Sequence, residues 1–186
     1  MVSFKEMNLC PQLQKALDSL KFIQPTPIQE QAIPLAMDGK DIIGRAQTGT
    51  GKTAAFCIPI IEKLINKPQG NALILLPTRE LAMQIADVLR KLTVHSPMIR
   101  SALLIGGSDM KSQLRALAGK PRIIVATPGR LNDHLRRGSV KLKNVEFLVL
   151  DESDRMLDMG FMPQLDEILK FLPATTKANS AFLQRR

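Results

Sequence analysis

Five short runs rich in Leu and β-branched residues punctuate the chain, at residues 41–44, 72–76, 101–105, 122–126 and 146–150. Each is continuously apolar rather than alternating, the pattern of a strand covered on both faces. Segments of helical period lie between them. From Arg79 to Leu92, Leu81, Ile85, Val88, Leu89 and Leu92 fall on one stripe, and over residues 162–172 Leu165, Ile168, Leu169 and Leu172 do the same. The alternation predicts βαβ units: an α/β fold with a mostly parallel sheet, helices on both faces and ligands bound beyond the carboxyl ends of the strands. Residues 1–39 read as a helical preface, with Leu9, Leu13, Leu17 and Leu20 on one side and a break at Pro25-Thr26-Pro27. Residues 174–186 are irregular, a tail or a strand spoiled by truncation.

A length of 186 residues with 45% apolar positions fits one domain with a real core. The net charge of +9 points to a polyanion partner, and it is uneven: residues 100–143 hold ten basic side chains against Asp109 and Asp133. Such a stretch is the expected footprint of a phosphate-backbone binder. Cys10 and Cys57 form no metal or disulfide pattern and read as inert thiols. No apolar run approaches the roughly 18 residues of a membrane span, so a cytoplasmic chain with no membrane partner is expected. His95 and His134 have no partner at catalytic spacing and read as surface residues.

The strongest local signal is Ala46-Gln47-Thr48-Gly49-Thr50-Gly51-Lys52-Thr53, between a predicted strand and a predicted helix. Small residues let backbone amides close on phosphates, Lys52 can reach the terminal phosphates, and the Thr53 hydroxyl can hold Mg²⁺. Asp151-Glu152 ends the apolar run at 146–150. An Asp there can hold the Mg²⁺ of a nucleotide, and the adjacent Glu can orient and deprotonate a water.

Read with what lies between them, residues 4–173 resemble the first RecA-like domain of DEAD-box ATP-dependent RNA helicases, in a bacterial-type form. Phe22 with Pro25-Thr26-Pro27-Ile28-Gln29 resembles the Q motif, with Phe4 as its upstream aromatic; the family has Gly where Lys21 stands. Residues 46–53 resemble the family's phosphate loop and Pro77-Thr78-Arg79-Glu80-Leu81 its motif Ia. Gly106-Gly107 resembles the GG motif and Thr127-Pro128-Gly129-Arg130 motif Ib. Asp151-Glu152-Ser153-Asp154 resembles motif II, with Ser for the usual Ala.

The resemblance implies a RecA-like P-loop domain using ATP and Mg²⁺. Gln29 and Phe22 would recognise adenine; Lys52 and the loop from Ala46 to Thr53 would hold the phosphates. Thr53 and Asp151 would take the metal, Glu152 the hydrolytic water, and Asp154 would couple the site to its neighbours. Pro77, Thr78, Arg79, Gly106, Gly107, Thr127, Pro128, Gly129 and Arg130 would grip the backbone of single-stranded RNA or of a duplex strand. For Thr127-Pro128 the same residues also read as a helix cap followed by Pro at its first position.

The family's apolar strand and Ser-Ala-Thr motif are replaced by a run in which Ser180-Ala181-Phe182 is a partial echo, as an early frameshift, a natural truncation or an arbitrary cut leaves. The expectation is a single domain of residues 1–186, a monomer lacking the second RecA-like domain. It binds ATP or ADP but hydrolyses slowly and does not unwind alone. A stand-alone nucleotide-regulated RNA-binding module, or an inactive fragment, is the competing reading.

Overall fold

Four of the five apolar runs become strands, and the helical stripes become the helices between them. The structure, a computed structural model, describes residues 3–44, 49–178 and 182–183. A 3₁₀ turn at Phe4–Met7 precedes α1 (Pro11–Ser19), α2 (Pro27–Met37), α3 (Lys52–Asn66), β1 (Asn71–Leu75) and α4 (Arg79–Leu92). Then come β2 (Ser101–Leu104), α5 (Met110–Ala118), β3 (Ile123–Ala126), α6 (Pro128–Arg136) and β4 (Val145–Leu150). The chain continues through α7 (Ser153–Asp158), α8 (Met162–Lys170), α9 (Ala174–Ala178) and β5 (Phe182–Leu183).

The strands lie in the order β2-β3-β1-β4-β5, and every pairing is parallel. Successive residues of each strand face opposite layers, which is why the runs are apolar throughout. Ala72 and Ile74 of β1 join Leu13, Leu17, Phe56, Ile61 and Leu89 from α1, α3 and α4. Leu73 and Leu75 join Leu131, Met156, Leu165 and Ile168 from α6, α7 and α8. The register then aligns the carboxyl ends. Leu104 pairs with Ala126, Ala126 with Leu75, and Leu75 with Leu150. Residues that follow these four strands therefore emerge side by side along one edge of the sheet.

The strand expected at residues 41–44 does not form, and Ile43 is 66% exposed. A cleft of about 640 Å³ instead separates Lys40, Asp41 and Ile42 from Phe147 and Leu148 of β4. The outer edge of β4 is already engaged: Val149 and Leu150 pair with β5, and the Thr176 hydroxyl of α9 donates to the Val145 carbonyl. Residues 41–44 thus do not pair with β4, whose free edge is taken by β5. The irregular tail supplies α9 and β5, while Ser180 and Ala181 lie outside the described residues.

The preface is anchored by a buried carboxylate. Glu62 of α3 accepts from the Cys10 amide at 2.9 Å and from Asn66 Nδ2 at 2.7 Å. Burial and Glu62 push the Cys10 thiol up to about 11, and burial raises Cys57 further, so both thiols are inert. After α1 the chain turns through Lys21 at φ 58, with Phe22 N donating to Leu17 O and Lys21 N to Asp18 O. This left-handed closure of the helix brings Phe22 against Phe4, ring centroids 6.1 Å apart. The same closure explains why glycine suits position 21. Among the described residues no helix is long and apolar enough to cross a membrane.

Candidate nucleotide site and nucleic-acid interface

The phosphate loop enters α3 through Gly51, its N-cap, at φ 84. Ala46, Gln47 and Thr48 lie outside the described residues. Lys52 and Thr53 occupy the first turn of α3 and are partly buried. Lys52 Nζ reaches Asp151 Oδ1 at 3.3 Å, the two side chains 14% and 8% exposed. Burial lifts the Asp151 carboxyl above its ordinary value, and the Lys52 ammonium pulls it back. Asp151 follows β4 directly, so the sheet itself delivers its carboxylate to the foot of α3.

Glu152 caps α7 in the left-handed region at φ 53, and its amide donates to Asp151 Oδ1 at 3.1 Å. A non-glycine residue in that region costs about 1 kcal/mol, and such strain gathers where a side chain must be aimed. The Glu152 carboxylate lies 3.5 Å from Arg155 Nη1. Asp154, half-buried, sits in the first turn of α7. Lys52 and Asp151 border a cavity of about 20 Å³ closed by Ile28, Ala32, Ile42 and Phe56. The larger cleft does not include them.

Gln29, third residue of α2, is 4% exposed. Its Oε1 accepts from the Thr26 amide at 3.0 Å and its Nε2 donates to the Gly51 carbonyl at 2.9 Å. A Cβ at position 51 would overlap that amide, so the close approach requires glycine. One amide thus ties the preface to the end of the phosphate loop. It spends one donor and one acceptor and retains one of each.

The second group of residues lines the neighbouring strand ends. Pro77 is buried behind β1; Thr78 caps α4, its hydroxyl accepting from Leu81 N at 3.4 Å. Exposed Arg79 lies against Gly107, which sits at φ 70. Gly106 has open space around it, as does Gly129. Thr127 occupies the cap position of α6 and Pro128 its first, but the Thr127 hydroxyl makes no cap hydrogen bond. Arg130 Nη1 donates to Ser108 O at 3.2 Å, and its Nε lies 3.8 Å from Asp133 Oδ2. The loops after β1, β2 and β3 are therefore cross-tied into one row.

The matching family model, described as DEAD/DEAH box helicase, covers residues 26–184. The chain belongs to the DEAD/DEAH box helicase family. It is 55% identical over 173 residues to the ATP-dependent rRNA helicase RRP3 of Candida albicans, covering 92% of this chain and 32% of that protein. It is 49% identical over 175 residues to the ATP-dependent RNA helicase CshA of Listeria monocytogenes, covering 94% of this chain and 34% of that one. The crystal structure of a hypothetical ATP-dependent RNA helicase from Sulfolobus tokodaii superposes with a TM-score of 0.83 at 34% identity, over 93% of this chain and 49% of that one. The fold is thus that of a RecA-like helicase domain, and the chain spans about a third of the length of these curated relatives.

Within this helicase domain two expectations are corrected. His134 is not a surface residue; it is fully buried, with Nδ1 2.8 Å from Ser139 Oγ and Nε2 3.0 Å from Gln113 Oε1. Burial and nearby Arg130 lower its pKa. Its place beside Leu135 and one turn after Leu131 was the available signal. The basic stretch, moreover, is not one open face. Arg122 turns inward to the carbonyls of Leu64, Lys67, Gln69 and Gly70, and Arg136 pairs with Glu167.

Proposed function

We propose that the chain is the ATP-binding and RNA-binding half of an ATP-dependent RNA helicase that couples nucleotide turnover to local duplex unwinding or RNP remodelling. The observation that carries the reading is the Lys52–Asp151 pair standing at the same sheet edge as the Thr78, Arg79, Gly107, Thr127 and Arg130 row.

Lys52 and the amides of the loop from Ala46 to Thr53 bind the phosphates. The donor and acceptor that Gln29 retains match the adenine edge, and Phe22 supplies an aromatic face. Among the described residues no group of three or more His, Cys, Asp or Glu could hold a metal ion, and a carboxylate and a hydroxyl, both oxygen donors, suit Mg²⁺. Asp151 and Thr53 would hold that ion, which would neutralise phosphate charge. Glu152 orients and deprotonates the attacking water, and Asp154 links the site to the adjoining motifs. The row of Thr, Gly and Arg residues grips the sugar-phosphate backbone without reading bases, so binding is salt-sensitive and largely indifferent to sequence.

The chain as one domain, monomeric and cytoplasmic, needs a second RecA-like domain for full catalysis. An arginine supplied across such a site is worth about 10³–10⁵ in rate. The test is ATP hydrolysis at saturating RNA, alone and with a second RecA-like domain supplied. Slow turnover alone, restored by the second domain and abolished again by Glu152→Gln, supports the enzyme. No turnover in either case, with RNA and nucleotide still bound, leaves a nucleotide-regulated RNA-binding module.

A further inference from the structure

The α5 helix buries a polar residue in preference to its leucines: Gln113 is 3% exposed, whereas Leu114 is 39% exposed. Burying an amide is costly unless every group is used, and here each is. Gln113 Nε2 donates to Ile105 O at 2.9 Å and approaches Ser108 O at 3.5 Å. Its Oε1 faces His134 Nε2 at 3.0 Å, so the imidazole carries its proton on Nε2 and donates. His134 Nδ1, left as acceptor, faces Ser139 Oγ at 2.8 Å. Ser108 O is also taken by Arg130 Nη1. The carbonyls on both sides of Gly106-Gly107 are thus drawn inward, onto donors from α5 and α6. The Gly106 and Gly107 amides make no hydrogen bond to another described residue.

We propose that Gln113 and His134 are positioning residues for RNA: their buried relay fixes the Ile105–Ser108 loop against the last turn of α6 and presents the Gly106 and Gly107 amides to a backbone phosphate. The inference rests on the RNA-binding reading above. A leucine pair at these positions would pack without desolvating any polar group, so the relay makes sense as a device that sets the loop rather than as core. Neither residue touches RNA. Each acts through the loop it holds.

The experiment uses the ¹⁵N-labelled chain and its variants His134→Leu, His134→Gln and His134→Asn. Gln places an N–H near the imidazole Nε2 position and keeps the donor to Gln113; Asn reaches only toward Ser139. Three quantities are read: the Gly106 and Gly107 amide resonances, affinity for a fluorescein-labelled single-stranded oligouridylate at low salt, and affinity for Mg·ADP by calorimetry. Loss of the donor should shift both glycine resonances and weaken RNA binding about tenfold while Mg·ADP affinity stays within about twofold, the effect of one buried hydrogen bond confined to one loop. His134→Leu and His134→Asn should show this, and His134→Gln should recover most of it. If the Leu variant fails to fold, the Asn and Gln pair alone decides. RNA affinity and glycine resonances unchanged in folded Leu or Asn variants overturn the inference, as does a Gln variant no better than Asn. A wild-type chain that binds Mg·ADP but no RNA overturns the RNA reading itself, a result distinct from a relay that fails.

Discussion

Gly106 and Gly107 stand together in the sequence, yet alanine should act on them very differently. Gly107 sits at φ 70, and a Cβ there would overlap the Arg79 guanidinium; Gly106 has no positive φ and nothing within 4 Å. Forcing alanine into the left-handed region costs about 1–2 kcal/mol. For a chain of this size that lowers the melting temperature by about 2–8 °C. The overlap itself is cheap in stability, because the guanidinium is the free end of a flexible side chain and swings away. It then leaves the row proposed to grip the RNA backbone. At so exposed a position the lost contact is worth about 1 kcal/mol, roughly fivefold in affinity, with the salt slope reduced by about one. Gly106→Ala should stay within about 0.5 kcal/mol and melt like the wild type. Thermal unfolding by circular dichroism and anisotropy titration of a labelled RNA at two salt concentrations read both. Equal losses for the two variants, or a larger loss for Gly106→Ala, would refute the geometric reasoning.

Three further perturbations follow, two at buried carboxylates and one at a left-handed backbone position. Because burial raises the Asp151 carboxyl above its ordinary value, its stabilising contribution is present below the ordinary carboxylate range and lost as pH rises through the native value. Asp151→Asn should therefore melt higher than wild type at pH 7, by a margin that shrinks toward pH 4, while losing Mg·nucleotide affinity; a lower melting point at pH 7 sinks this. Glu62→Ala orphans the Cys10 amide and the Asn66 side chain, and should cost about 1–3 kcal/mol by urea unfolding, with faster amide exchange across α1. Unchanged exchange there would show that the preface is held by packing alone. Lys21→Gly relieves a left-handed residue and should gain about 1 kcal/mol, seen as a raised urea midpoint without a change in slope.

How much of this was legible depended on whether the governing interaction was local. The stripe of α4 is complete in its own sequence, and the helix spans Arg79–Leu92 as its periodicity predicts. The strands at 72–76, 101–105, 122–126 and 146–150 are buried on both faces and announce it by continuous apolarity. Residues 41–44 hold only Ile42 and Ile43 as apolar positions, and a strand also needs an edge to pair with, where the edge of β4 is taken by β5. The candidate site residues stand out in the sequence because phosphate, metal and backbone chemistry would restrict the residue types at fixed spacing. The Gln113–His134 relay was not, since its members are 21 residues apart and neither is apolar or in a chemical motif. Gln29 was half legible: its capping role is local, while its bond to Gly51 spans 22 residues.

Nucleotide binding at Lys52 is read most directly by calorimetric titration of the chain with Mg·ADP and with Mg·GDP, alongside Lys52→Ala. Binding should be selective for the adenine nucleotide and weakened at least tenfold when the Lys52 charge-assisted hydrogen bond is removed. A folded chain that binds both nucleotides equally, or binds Mg·ADP unchanged without Lys52, would contradict the ATP-binding reading.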